Sequence, residues 1–242
     1  MTQGQSSCVQ TSYRVTEQTL VIDLGGKRRV LSSAPQGGGL TAASYILNHQ
    51  VESNPISNTH PRSHGDPARA LRRLAVRLGA KQGTIGLMTA VPMKQLVTAR
   101  VSSETVWVEC FATVGVTNAV RAGERPETDG GRSQTTGPGT INLIVVTNAC
   151  LSSAAMVGAV QVVTESKTGV LRDHAVPSWT GRPGATGTGT DAVVIACRLR
   201  GEGPWHAYSG THTAIGALIG QVVTRCVTRG LAKAKHWQER HV

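Results

Sequence analysis

The chain has 242 residues, 39% of them hydrophobic and 16% charged, with a net charge of +11. That is enough apolar material for a core and too little charge for a disordered chain. Aromatic residues are only 3%, so the core must come from Val, Ile, Leu and Ala, and a surface that binds nucleic acid by base stacking is disfavoured.

The basic residues are dispersed, apart from Lys27-Arg28-Arg29 and the segment 69–77. No polybasic tail forms, so neither a nucleic-acid nor a membrane partner is expected. Cys8, Cys110, Cys150, Cys197 and Cys226 contain no CxxC pair. Their wide spacing speaks against a disulfide framework and against a zinc knuckle, and a reducing cytoplasm fits best. Residues 1–10 lack an apolar stretch of signal-peptide type. Every longer apolar run is interrupted well before the ~20 residues a bilayer requires.

In chain order, residues 1–12 read as a frayed leader. Residues 19–23 read as a strand, with Gly25-Gly26 as a hairpin turn into a second strand at 29–32. Residues 36–39 are a Gly-rich loop, and 40–48 fit a short strand or a helical turn. The stretch 52–65 reads as an exposed loop rich in Asn, Ser, Pro and His. Asp66-Pro67 starts a helix over 67–78, because Asp caps free N–H groups and Pro suits the first helical position. Leu71, Leu74, Ala75 and Leu78 give it an apolar face, which leaves Arg69, Arg72, Arg73 and Arg77 mostly on the solvated side.

Residues 84–90, 96–101 and 105–116 read as strands, the last two joined as an antiparallel hairpin. Residues 124–138 show no periodicity and read as a loop. Buried strands follow at 141–146 and 191–197. Long helices are expected at about 152–172, capped by Ser152 or Ser153, and at 212–235, where Ile215, Leu218, Ile219, Val222, Val223 and Cys226 form one stripe. The fold class expected is α+β: a largely antiparallel sheet core packed against two long helices and the shorter one. A single layered domain over 13–236 with a tail at 237–242 is expected, and assembly into a homo-oligomer stays open.

Five short polar signatures end apolar runs: Thr113-Val-Gly-Val-Thr-Asn-Ala119, Gly139-Thr-Ile-Asn142, Thr164-Glu-Ser-Lys167, Ala185-Thr-Gly-Thr-Gly-Thr-Asp191 and Tyr208-Ser-Gly-Thr-His-Thr213. Rigid support beneath exposed donors and acceptors is how folds build sites, so five such loops predict one polar pocket. The Gly187–Asp191 run precedes a strand and lacks a lysine, the reverse of a phosphate loop that opens a helix. Two readings remain for it: a close-approach loop with Thr186, Thr188 and Thr190 as hydroxyls and Asp191 as acceptor or base, or a tight turn into the strand. Glu165 is either an exposed helix residue or a partly buried carboxylate poised for proton transfer. Lys167, two residues on, lies off its face. His212 stands at the start of the last helix, as a capping group or an acid–base group. His60 and His64 have i, i+4 spacing inside a Pro-rich loop, which spoils a metal pair, and no metal or cofactor is expected. Asn48, Asn118 and Asn142 are amides beside strand ends, able both to donate to and to accept from an amide-rich ligand.

These signatures, together with Leu31-Ser-Ser-Ala-Pro35, Gly37-Gly-Gly39, Asn48, Gly86-Leu-Met-Thr-Ala90, Arg121-Ala-Gly123 and Gly216, resemble the adenosylcobinamide amidohydrolase (CbiZ) family over about residues 30–230. The chain departs from the family pattern at Gln36, at Ser166 and in its basic balance. The resemblance implies hydrolysis of the amide joining the aminopropanol arm to the corrin ring, giving adenosylcobyric acid and 1-aminopropan-2-ol for cobamide synthesis. Amide hydrolysis needs an activated water or nucleophile, oxyanion donors and an acid for the leaving amine. Residue chemistry suggests Glu165 or Asp191 as base, His212 as acid, Lys167 to steady negative charge, and backbone N–H groups of Gly187, Thr188, Gly189 and Thr190 as oxyanion donors. Ser33, Gly38, Asn48, Asn118, Asn142, Thr186 and Thr211 complete the expected corrinoid-binding set. A corrinoid-binding protein without catalysis, and a basic nucleic-acid-binding protein, are the alternatives.

Overall fold

The computed structural model describes residues 11–51, 66–80, 83–124 and 139–239. Its first element, β1 (Ser12–Thr16), pairs antiparallel with β2 (Thr19–Ser32), which pairs with β3 (Gly39–Gln50). Helix α1 (Pro67–Arg77) leads into β4 (Thr84–Thr89), and a short 3-10 turn into β5 (Val97–Ser103) and β6 (Val106–Val114). Then follow β7 (Ala119–Val120), β8 (Ile141–Thr147), β9 (Cys150–Leu151) and α2 (Ser153–Asp173). The chain closes with β10 (Gly187–Thr188), β11 (Ala192–Cys197), β12 (Trp205–His206) and α3 (Ala214–Gln238).

The main sheet has eight strands in the order β4-β3-β2-β11-β8-β6-β5, with β1 on β2. Its pairings are antiparallel except β3 with β4 and β8 with β11, so the α+β class holds with a mixed, largely antiparallel sheet. The sequence suggested a hairpin at Gly25-Gly26. Instead β2 is one long strand, and both its halves pair with β3: Asp23 faces Tyr45 and Arg28 faces Ala43. The two glycines, at φ 67° and 123°, take up the register shift as a bulge. The bulge bends β2 instead of reversing it, and the ambiguous segment 40–48 becomes its partner strand.

That bend lets the sheet fold over itself. Leu20, Ile22, Ile46, Ile85 and Leu87 from the first half meet Phe111, Ile144, Val146 and Val194 from the second in an apolar inner layer. The other face of β6, β8 and β11 (Cys110, Ala112, Leu143, Val145, Ile195) packs against α2 and α3. Helix α1 covers the outside of β3 and β4 with Leu71, Leu74 and Ala75, and all four of its arginines are exposed. The caps are those the sequence suggests: Asp66 accepts from Ala68 N–H at 3.0 Å and Ser152 from Ala155 N–H at 2.9 Å. No described helix is long and apolar enough to cross a membrane.

Candidate active site

Strand order and direction gather the polar loops. The end of β2 lies beside the start of β11, where Ser33 N–H donates to the Val193 carbonyl and Val193 N–H to Ser33 Oγ, both at 3.0 Å. The start of β11 lies beside the start of parallel β8, with Ala192 opposite Asn142. β6 ends there, because it runs antiparallel to β8, and Gly115 N–H donates to the Thr140 carbonyl at 3.0 Å. Beyond it, β7 pairs with β10, so Ala119 faces Thr188. Residues 33–39, 113–119, 139–142 and 185–191 thus form one rim at one end of the sheet. Helix α2 runs back toward that rim and delivers the third signature, Thr164–Lys167, and just beyond it Thr168 Oγ1 donates to the Thr186 carbonyl at 3.0 Å.

The centre of the rim is a buried ion pair. Lys167 Nζ donates to Asp191 Oδ2, and the two side chains are only 9% and 13% exposed. Asp191 also accepts from Thr188 N–H and Ile141 N–H, each at 3.1 Å, and from Thr188 Oγ1. Both carboxylate oxygens are therefore committed, and Asp191 is a hub that ties the loop 187–190 and the start of β8 to Lys167. Gly187 is required here, since a Cβ would stand 2.4 Å from Asp191 Oδ2 and 2.7 Å from Lys167 Nζ. Beside the hub, Thr140 Oγ1 and Thr190 Oγ1 share a hydrogen bond of 2.7 Å.

Other expected residues fall elsewhere. Asn48 and Asn142 sit between the two layers of the folded sheet, each about 1% exposed. Asn142 Nδ2 donates to Asn48 Oδ1 at 2.9 Å and to the Met88 carbonyl at 2.8 Å, and Asn48 Nδ2 donates to Thr113 Oγ1 at 3.1 Å. They tie the layers together directly beneath the rim. Asn118 packs on Gly139, and Gly38 turns so tightly that a Cβ would stand 2.6 Å from the Ala34 carbonyl oxygen. Ser33, Gly38, Gly189 and Thr190 are exposed at the rim, Gly187 and Thr188 are buried, and Thr186 is half-buried.

The fifth signature does not join them. Ser209 packs against Gly158, and Ser209 Oγ donates to the Ala155 carbonyl. Gly158 and Lys167 are nine residues apart on α2, about 13 Å of rise and two and a half turns, hence on opposite faces. Thr211 and His212 are exposed and line a separate cleft of about 590 Å³ with Val157, Gln161 and Tyr208. Glu165 lies exposed on that outer face of α2 and not in a partly buried site, four residues beyond Gln161. The expectation of one pocket from five loops is thereby corrected: four converge, and Glu165 and His212 are apart from Lys167 and Asp191. The sequence reading also passed over Thr140, although it lies inside a recognised signature; a hydroxyl one residue before a buried strand was the available signal. His60 and His64 lie outside the described residues. Among the described residues no group of three or more His, Cys, Asp or Glu side chains could hold a metal ion.

The profile of the adenosylcobinamide amidohydrolase family matches residues 4–239. The chain belongs to this family. Membership makes it an amidohydrolase, an enzyme that cleaves amide carbon–nitrogen bonds. An adenosylcobinamide amidohydrolase of Methanosarcina mazei is 29% identical over 228 residues, covering 90% of this chain and 96% of its own. An uncharacterised protein of Methanocaldococcus jannaschii, MJ1613, is 30% identical over 232 residues, covering 89% and 86%. Among solved structures, the PH0078 protein of Pyrococcus horikoshii aligns with 97% of this chain and 81% of its own at 9% identity and a TM-score of 0.46. At that level the likeness bears on neither fold nor function. The rim joins the Lys167–Asp191 ion pair to convergent hydroxyls and exposed loop backbone, and it is the candidate active site.

Proposed function

We propose that the enzyme hydrolyses the amide joining the aminopropanol arm of adenosylcobinamide to the corrin ring. The products are adenosylcobyric acid and 1-aminopropan-2-ol, and the acid re-enters cobamide synthesis as a salvage step in the cytoplasm. The observation that carries the reading is the buried Lys167–Asp191 pair where four polar loops meet, in a chain matched by the family profile along nearly its whole length. Corrinoids are large and edged with amides. A rim of exposed Ser and Thr hydroxyls and Gly backbone offers both donors and acceptors to such an edge, and its glycines let the backbone approach the ring.

Lys167 is the group that steadies negative charge as the amide carbon becomes tetrahedral. Its ammonium is held in place by Asp191 and needs no reorientation when charge develops, the condition under which a fixed charge contributes most to catalysis. N–H groups of the exposed Gly189 and Thr190 are the further donors. Asp191 orients Lys167 instead of abstracting a proton, because its oxygens already hold four hydrogen bonds. Glu165, exposed on the outer face of α2, and His212, in the separate cleft, take no part in the proposed chemistry.

The test is incubation of the purified protein with adenosylcobinamide, followed by chromatography for adenosylcobyric acid and released aminopropanol, with and without a chelator. Both products are expected. Loss of turnover with chelator would mean that a metal activates the water. Corrinoid retained but uncut would establish a binding protein without catalysis in place of this reading.

A further inference from the structure

The peptide bond between Gly139 and Thr140 stands in the middle of the rim. Thr140 is buried, at 8% exposure, directly before β8. Its Oγ1 lies 2.7 Å from Thr190 Oγ1, and Thr190 Oγ1 in turn lies 3.4 Å from the Gly139 carbonyl oxygen in a donor position. One hydroxyl thus neighbours both a potential nucleophile and the carbonyl oxygen next to it. On the other side Asn118 presses on Gly139: a Cβ at 139 would stand 2.0 Å from Asn118 Oδ1, so only glycine fits. Asn118 Oδ1 is buried with no hydrogen-bond partner among the described residues, an acceptor beside this bond that awaits a donor.

A threonine hydroxyl is a weak nucleophile unless a base takes its proton. No hydrogen bond to a free base is made by Thr140 among the described residues, and Asp191, the carboxylate that accepts from the adjacent Ile141 N–H, already holds four hydrogen bonds. The general chemical solution is a threonine at a chain terminus, whose own α-amino group serves as the base.

We propose that the chain cuts itself between Gly139 and Thr140, and that the terminal Thr140 so released is the nucleophile of the amidohydrolase. Thr140 Oγ1 adds to the Gly139 carbonyl carbon, and the bond from that carbon to the Thr140 nitrogen breaks. The hydroxyl proton ends on the departing nitrogen, and Gly139 is left as an ester on Oγ1. Water hydrolyses the ester, giving Gly139 a carboxylate and returning the hydroxyl to Thr140, which now carries a free amino group. Asn118 Oδ1 accepts a hydrogen bond from that group in its protonated form. In the amide hydrolysis, which rests on the function proposed above, the amine takes the Oγ1 proton as the oxygen attacks the substrate carbonyl. It passes the proton to the leaving aminopropanol nitrogen, and water then resolves the ester.

Intact-mass measurement and N-terminal sequencing of the purified full chain test this without any corrinoid. Two associated fragments are expected, residues 1–139 and 140–242, the second beginning Thr-Ile-Asn-Leu. Thr140→Ala should remain a single chain with an unchanged circular dichroism spectrum, and Thr140→Ser should still cut. Thr190→Val should cut roughly tenfold more slowly, because a donor to an oxyanion is lost but its hydrogen bond is long. If Thr140→Ala does not fold, the serine and valine variants carry the test. A single 242-residue species in the natural protein, or cutting of Thr140→Ala at the natural rate, overturns the proposal. A cut protein that leaves adenosylcobinamide intact would support self-cleavage and remove the substrate reading. Turnover of adenosylcobinamide by an uncut chain would overturn self-cleavage alone.

Discussion

Two polar regions border helix α2, and they are built on opposite principles. At the rim, Lys167 and Asp191 are withdrawn from water, and the loop 187–190 is wound around them by hydrogen bonds to one carboxylate. At the other face, the loop 208–213 is held just as firmly by its backbone: Ser209 is 1% exposed, Ser152 Oγ donates to the Ala207 carbonyl, and Thr213 caps α3 by accepting from Gly216 N–H at 3.0 Å. Yet its functional-looking side chains, Tyr208, Thr211 and His212, point to solvent. In sequence both are Gly-Thr loops beside apolar runs. What separates them is where the rigidity is spent. The rim fixes charged side chains in place, whereas the second loop fixes backbone and joins two helices.

The sharpest break of that contrast is Asp191→Ala. It leaves Lys167 buried without a counter-charge, which should cost about 3 kcal/mol or more of stability and abolish turnover; urea denaturation and product formation read the two. Lys167→Met should abolish turnover at a smaller cost in stability, because three of the hydrogen bonds to Asp191 survive it. Gly187→Ala comes next: its new methyl group would sit between Lys167 and Asp191, so activity should fall by at least roughly an order of magnitude even where the fold persists. Asn142→Ala removes the amide that bridges the layers and should cost about 2 kcal/mol, with a lowered melting midpoint as the readout.

On the outer face the expectation is the reverse. His212→Ala and Glu165→Gln should change stability by less than about 0.5 kcal/mol and leave turnover within roughly twofold. A hundredfold loss in either would mean that the outer face takes part in the chemistry. The smallest effect concerns acid. Burial lowers the pKa of His49 and of His206 below the ordinary value of 6.5, with Arg77 adding to the effect on His49. Both are therefore favoured as neutral in the folded protein, so the stability they contribute is present above pH 6.5 and is lost as pH falls through their lowered values. Replacing His49 with Asn should flatten that acid limb in a series of melting curves.

The sequence by itself determined most of the local structure. Helix α1 was legible from Asp66, Pro67 and its leucine spacing, α2 from Ser152, α3 from one aliphatic stripe, and the strands β5, β6, β8 and β11 from apolar runs bounded by polar turns, because each is dictated by contacts a few residues apart. The family signatures were legible for the same reason. Only the tertiary structure decided which signatures meet. Glycines at 25 and 26 read as a hairpin turn, and it is the pairing of β3 with both halves of β2 that makes them a bulge. The parallel pairing of β8 with β11 brings Thr140 next to Thr190 and Ile141 next to Asp191, each pair 50 residues apart in the chain, while the direction of α2 turns Lys167 inward and Glu165 outward. Strand order and helix facing are set by burial summed over the whole core, and no local pattern of residues encodes that sum.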